Sequence, residues 1–223
     1  MMILGIDSSD DFVSVGLAAA DGVIVSKTSG HKARNKNEVH LLIDSVLGER
    51  GGSTGEIEGV AVAIGPGSFT GLRVGLAAAK GLCWSANLPL AGVSSISGLL
   101  GCFGTDWEKL LVVKDAKREE FYYGGFMRND IGITQTIPDS VGPADELIGL
   151  CSEDYLIAGP GLGALSRLHG SVSEIRQVDF ESERAGGEIA RCGRRMILSG
   201  ETLSLSESSP VYIRNPGFKM ISS

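Results

Sequence analysis

The chain has 223 residues, 43% hydrophobic and 21% charged, which suffices to bury a core and fits one domain or two small ones of about 100 residues each. A formal net charge of -7 excludes a large nucleic-acid footprint of the chain's own, because such binding is mostly phosphate neutralisation by Lys and Arg. Its 32 glycines imply many tight turns or close backbone approaches.

Alternation and β-branched residues predict a strand over residues 3–7, a turn at "SSDD", and two more strands within "FVSVGLAA" and "GVIVSKT", with Asp21-Gly22 as the hairpin turn. A helix follows over residues 37–47, with Val39, Leu42, Ile43 and Val46 on one side. The continuous apolar run "EGVAVAIG" reads as a buried strand, "GPGSFTGL" as the turn after it, residues 70–86 as a helix of small side chains, and "PLAGVS" as another strand.

The second half repeats the plan. "LLVVKDAKREEFYYGGFM" is a strand ending in Asp115, a charged turn and a further strand, as the N-terminal stretch is around Asp7. "DYLIAGPGLGAL" places a strand before Gly159-Pro160-Gly161, as "VAVAIGPGSFTGL" does before Gly65-Pro66-Gly67. This recurrence predicts a duplicated lobe, 1–104 and 105–223, with Asp7 and Asp115 at equivalent places. The competing reading is that both patterns are common local solutions that recur by chance. The helix over residues 184–198 can return to either lobe.

Few residues carry chemistry. Glycines before a helix invite phosphate, yet position 70 is Thr, which breaks a dinucleotide fingerprint, and Gly71 is followed by Leu72, which breaks a P-loop. The remaining nucleotide-binding candidates are Asp7, Ser8, Gly65, Gly67 and Ser68. The structural alternative is a tight turn with Ser68 or Thr70 as helix cap, and an Asp7 that serves only its own turn. Asp115, beside Lys114, Lys117 and Arg118, reads as a salt bridge or turn bond. His31, His40 and His169 have no metal-pair spacing, and Cys83, Cys102, Cys151 and Cys192 form no C-x-x-C pair. No cofactor or metal is expected. Basic clusters at 27–36, 114–118 and 184–195 read as solvated faces. Without a signal-like or membrane-length apolar run, a cytoplasmic protein is expected.

Together "ILGIDSSDDFVSVGL", "GPGSFTGLRVGLAAAKGL", "PLAGVSSISGL", "DAKREEFYYGGF" and "PVYIRNP" resemble the TsaB (YeaZ) family of bacterial tRNA threonylcarbamoyladenosine synthesis, over nearly the whole chain and in order. The resemblance implies an α/β fold of the ASKHA (actin-like ATPase) superfamily, two RNase H-like lobes with mixed sheets flanked by helices. It also implies a non-catalytic partner of TsaD, the subunit that transfers the threonylcarbamoyl group, with a TsaE-like ATPase and an adenylate synthase in the wider system. A homodimer when alone is left open, and tRNA is met only through the complex. TsaD is similar over the same block, and its "VNHMEGH" places two metal-binding histidines where this chain has Ser95 and Leu99. Two departures stand out: Asn35 and Lys36 replace a His-Ser pair before the first helix, and Ser8 replaces Thr. The alternative is an ATPase or phosphotransferase using Asp7 and the Gly-rich turns; a peptidase lacks a nucleophile or metal pair.

The long helix carries the interface expectation. At 100° per residue, Leu72, Leu76, Ala79 and Cys83 gather on one side, facing the lobe's own sheet. The opposite side should be polar, but holds Val74, Ala77, Ala78, Gly81 and Ser85, with Arg73, Lys80 and Trp84 along a margin. Small residues let two helices approach closely. This face is expected to meet a partner helix, joined by the first helix near Val39 and Leu42. The competing reading is burial by the chain's own loops or C-terminal segment.

Overall fold

The computed structural model describes residues 1–29, 38–49, 54–151, 154–168 and 177–213. The expectations placed on His31, Asn35, Lys36, His169 and the end of "PVYIRNP" lie outside them.

The first sheet is built from β1 (Ile3–Asp7), β2 (Ser14–Ala19), β3 (Gly22–Thr28), β4 (Gly59–Gly65) and β5 (Leu90–Ser94), in the order β3-β2-β1-β4-β5. The meander β1-β2-β3 is antiparallel, and β4 and β5 join parallel. Parallel neighbours need crossovers, and α2 (Phe69–Ala86) links β4 to β5, while α1 (Val39–Gly48) lies between β3 and β4 in the chain. Period-two alternation sorts the side chains. Leu4, Ile6, Val60 and Val62 pack in one core with Val39, Ile43, Val46 and Leu76 of the two helices. Ile3, Ala61, Ala63, Ala91 and Val93 form another core with Ile189 and Ala190 on the far face.

That far face belongs to the C-terminal helix, α5 (Ala185–Leu198). Its first turn is anchored to the first sheet: Gly186 N-H donates to Ser14 Oγ at 2.8 Å and Gly187 N-H to Ser26 Oγ at 3.1 Å. These bonds satisfy two of the amides that a helix start leaves open. The last helix therefore packs on the first lobe.

The second sheet holds β6 (Lys109–Lys117), β7 (Glu120–Asn129), β8 (Gly132–Pro143) and β9 (Leu156–Ala158), in the order β8-β7-β6-β9. Two antiparallel pairs and one parallel pair repeat the β3-β2-β1-β4 arrangement. The helices α3 (Ala144–Cys151) and α4 (Leu162–Leu168) contribute Leu147 and Leu165 to its core. Relative to the glycine turns, Asp7 and Asp115 stand in different register. Ile6 pairs with Val62, three residues before Gly65, whereas Val112 pairs with Ala158, directly before Gly159. β6 has nine residues against five in β1, so Asp115 runs past its glycine turn while Asp7 stops short of its own.

Candidate functional site

Two features could carry function: the cleft between the lobes and the outer face of α1 and α2. At the cleft, the turn from β4 into α2 is fixed by backbone contacts. Gly65 has φ +128°, and a Cβ there would stand 2.4 Å from the Val211 carbonyl oxygen; at Gly67 it would stand 2.3 Å from that of Ser9. Ser68 N-H donates to Ser9 O at 2.8 Å, and Ser68 Oγ caps α2 by accepting from Gly71 N-H at 3.3 Å. The glycines are explained by this close packing.

Asp7 and Ser8 are fully buried. Asp7 Oδ1 accepts from Ser9 N-H at 2.9 Å and from Ser9 Oγ at 2.6 Å, and Ser8 Oγ donates to the Gly71 carbonyl at 2.7 Å. Among the described residues Asp7 Oδ2 has no hydrogen-bond partner. Beyond them Lys114, also buried, donates from Nζ to Ser9 Oγ at 2.6 Å and pairs with Asp10 Oδ2 at 2.9 Å. Burial pushes the Asp10 carboxyl above the usual range, Lys114 draws it back, and Asp7 adds to the rise.

Above this buried group lies a cleft of about 690 Å³, within the range of small-molecule sites. Asp10, Gly67, Ser68, Lys117, Arg167 and Tyr212 are among its lining residues. Of the five nucleotide-binding candidates only Gly67 and Ser68 reach it; Asp7, Ser8 and Gly65 lie behind its wall. Asp115 keeps the expected turn role, accepting from Lys117 N-H at 2.7 Å and Nζ at 3.0 Å. At the two positions aligned with metal ligands, Ser95 Oγ donates to the Pro66 carbonyl and Leu99 lies in a core with Phe12, Phe103 and Trp107. Among the described residues no three His, Cys, Asp or Glu side chains could jointly hold a metal ion.

The outer face of α2 takes shape as its small residues suggest. Leu72, Leu76, Ala79 and Cys83 are buried. Ala77, Gly81 and Ser85 are exposed, Trp84 is 82% exposed, and a Cβ on Gly81 would meet nothing within 4 Å. Val74 and Ala78 are half-buried against their own core. On α1 the interface expectation needs correcting: Val39 is buried in the core and Leu42 packs against it. A neighbour one residue away is open instead, Leu41 at 58% exposure; the helical period of α1 puts it outside the core stripe.

The chain's own C-terminal segment covers one margin of α2. Arg73 Nε donates to Tyr212 Oη at 3.0 Å and stacks over Phe69, whose ring lies 5.2 Å from Tyr212. Lys80 Nζ donates to the Ser208 carbonyl at 2.8 Å. The competing reading of self-burial thus holds in part at Lys80, while Arg73 stays exposed beside Tyr212 and the face from Ala77 to Ser85 stays open. The basic clusters are also engaged: Lys27 pairs with Glu49, Lys117 with Asp11 and Asp115, and Arg184 and Arg191 with Glu188.

Compared with known families, residues 22–182 match the family of TsaD, tRNA N6-adenosine threonylcarbamoyltransferase. The tRNA threonylcarbamoyladenosine biosynthesis protein TsaB of Escherichia coli (strain K12) is 29% identical, over 96% of this chain and 95% of that one. The protein of the same description from Bacillus subtilis (strain 168) is 31% identical over 62% of this chain and 61% of its own. The chain belongs to the TsaB (YeaZ) family. Among solved structures, a Pseudomonas aeruginosa protein with similarity to peptidase YEAZ superposes with a TM-score of 0.75, at 21% identity, over 96% of this chain and 99% of that one. The shared fold is a pair of mixed sheets flanked by helices. Among the described residues no helix is long and apolar enough to cross a membrane.

Proposed function

We propose that the chain acts in tRNA threonylcarbamoyladenosine synthesis as a non-catalytic subunit, and that the outer face of α1 and α2 binds a TsaD-like threonylcarbamoyltransferase. The observation that carries the reading is the open strip Ala77, Gly81, Trp84 and Ser85 on a helix whose other sides are already packed. A solvated face favours long charged residues, and an interior glycine costs about 1 kcal/mol relative to Ala. A seam between helices turns both features into close approach, and an exposed Trp is a common binding anchor. Family membership supports the pathway, since the relatives are described as biosynthesis proteins for this modification.

Chemistry then stays on the partner. The rival ATPase or phosphotransferase reading loses Asp7, whose side chain is buried and bonded to Ser9. A TsaE-like ATPase and the adenylate synthase join through the complex, tRNA is met indirectly, and a second copy of the chain competes for the same face when the partner is absent. The protein works in the cytoplasm, where tRNA is charged and used.

Ala77→Arg tests the interface better than a change at half-buried Ala78, because it adds charge to the open strip without entering the core. The folded variant is expected to lose co-purification with the TsaD-like subunit of its own cell, and Trp84→Ala to weaken it. Undiminished capture by both folded variants contradicts the assignment.

A further inference from the structure

Between two lobes around a cleft, a bound ligand or cation commonly sets how far they close. Here the chain supplies a bridge of its own. Lys114 stands on β6 of the second sheet with only 1% of its surface exposed, and its ammonium reaches the loop after β1 of the first. It donates to Ser9 Oγ at 2.6 Å and pairs with Asp10 Oδ2 at 2.9 Å; Ser9 Oγ in turn donates a hydrogen bond to Asp7 Oδ1 at 2.6 Å. The cation therefore engages two carboxylates, half-buried Asp10 directly and buried Asp7 through a hydroxyl. A buried charge is tolerated only when paired in this way.

Two further polar contacts tie the lobes at other points, beside the apolar core in which Phe12 and Ile96 meet Leu110, Val112 and Phe126. At the rim Lys117 pairs with Asp11 at 3.2 Å. At the end of β5, Ser94 Oγ donates to Asp139 Oδ2 of β8 at 2.5 Å. Neither is as enclosed as Lys114, which lies behind the cleft wall against Ser9 and Asp10.

We propose that Lys114 is a built-in cation that clasps the two lobes at one fixed closure, so that the cleft needs no metal and no ligand to hold its shape. The chain then presents a rigid body to whatever docks on it. This holds for any partner, so it stands or falls apart from the assignment of the α1 and α2 face.

Single-molecule energy transfer between dyes on Asp44→Cys and Asp130→Cys, both exposed positions, in the full chain with Cys151 and Cys192 replaced by Ser, reads the closure directly. The parent chain is expected to give one narrow population that magnesium and ATP leave unmoved. Lys114→Ala is expected to broaden it toward lower transfer. A broad parent population, a shift on adding magnesium and ATP, or a folded Lys114→Ala chain as narrow as the parent overturns the proposal. If Lys114→Ala does not fold, Asp10→Asn, which keeps the side-chain shape, is read by the same criteria, and the parent measurements decide without any substitution.

Discussion

Gly5 on β1 faces Gly186 on α5 so closely that a Cβ on Gly5 would stand 2.1 Å from the Gly186 carbonyl oxygen. On the neighbouring strand, a Cβ on Gly16 would stand 2.4 Å from the backbone nitrogen of Gly187. The C-terminal helix thus lies directly on the backbone of the first sheet, and its first-turn amides reach Ser14 and Ser26 because no side chain intervenes. Both atoms met are backbone, so the clash cannot be relieved by a rotamer change. Gly5→Ala should destabilise the chain by about 3 kcal/mol or more, lowering the melting temperature by about 6–12 °C. A thermal melt within about 2 °C of the parent would show that the helix sits further from the sheet.

Gly81 makes the opposite case. It lies inside α2 with open space where a Cβ would go, so Gly81→Ala should stabilise the isolated chain by about 1 kcal/mol. In the proposed seam the same methyl group would keep a partner helix away. The expected result is a higher melting temperature together with weaker capture of the TsaD-like subunit. Stabilisation with unchanged capture would free this residue from the interface.

Most of the first lobe was legible in the sequence because its strands alternate and its helices repeat with clear periods. The α2 core stripe follows from spacing alone, whereas spacing leaves the cap open between Ser68 and Thr70 and the structure places it at Ser68. β8 was missed: its "GITQTIPDSVGP" is mostly exposed and carries Pro138, which an edge strand tolerates but which hides the pattern. The role of Lys114 was missed for a different reason. Beside Asp115 in sequence it reads as a local partner, but alternation along β6 turns it the other way, toward Asp10 in the first lobe. Val39 shows the same limit on α1, where periodicity identified an apolar side without telling core from surface, and Leu41 was passed over. Residues 201–213 form no helix or strand, so their contacts with Arg73 and Lys80 follow no period.

Burial pushes the Cys83 thiol up to about 11 and raises Cys102 further, with Glu188 and Asp7 adding to the effect. A raised value leaves little thiolate at pH 8, and thiolate is the reacting species. Both thiols should be alkylated only as fast as the chain unfolds, measured by mass spectrometry of peptides over time. Fast labelling of either in the folded chain would contradict their enclosure.

Tyr123 is held by burial and by its hydrogen bond to Glu146, which raise its hydroxyl from 10.0 to about 12. The protonated form is the one favoured in the fold, so its stabilisation is fully present below pH 10 and is lost as pH rises through about 12. The stability advantage of the parent over Tyr123→Phe should shrink across that window in denaturant titrations. An advantage that is independent of pH from 9 to about 12 would assign it to packing alone.

Chemistry is assigned to the partner enzyme, and its support to the face of α1 and α2. The most direct test of this assignment is the amount of threonylcarbamoyladenosine formed in tRNA, read by mass spectrometry, when threonylcarbamoyl-adenylate is supplied to the purified chain, to the TsaD-like subunit with its ATPase, and to all of them together. Product is expected only when the chain and the TsaD-like subunit are both present, and Ala77→Arg should abolish its contribution. Product from the chain alone, or full product from the enzyme mixture without it, would contradict the account.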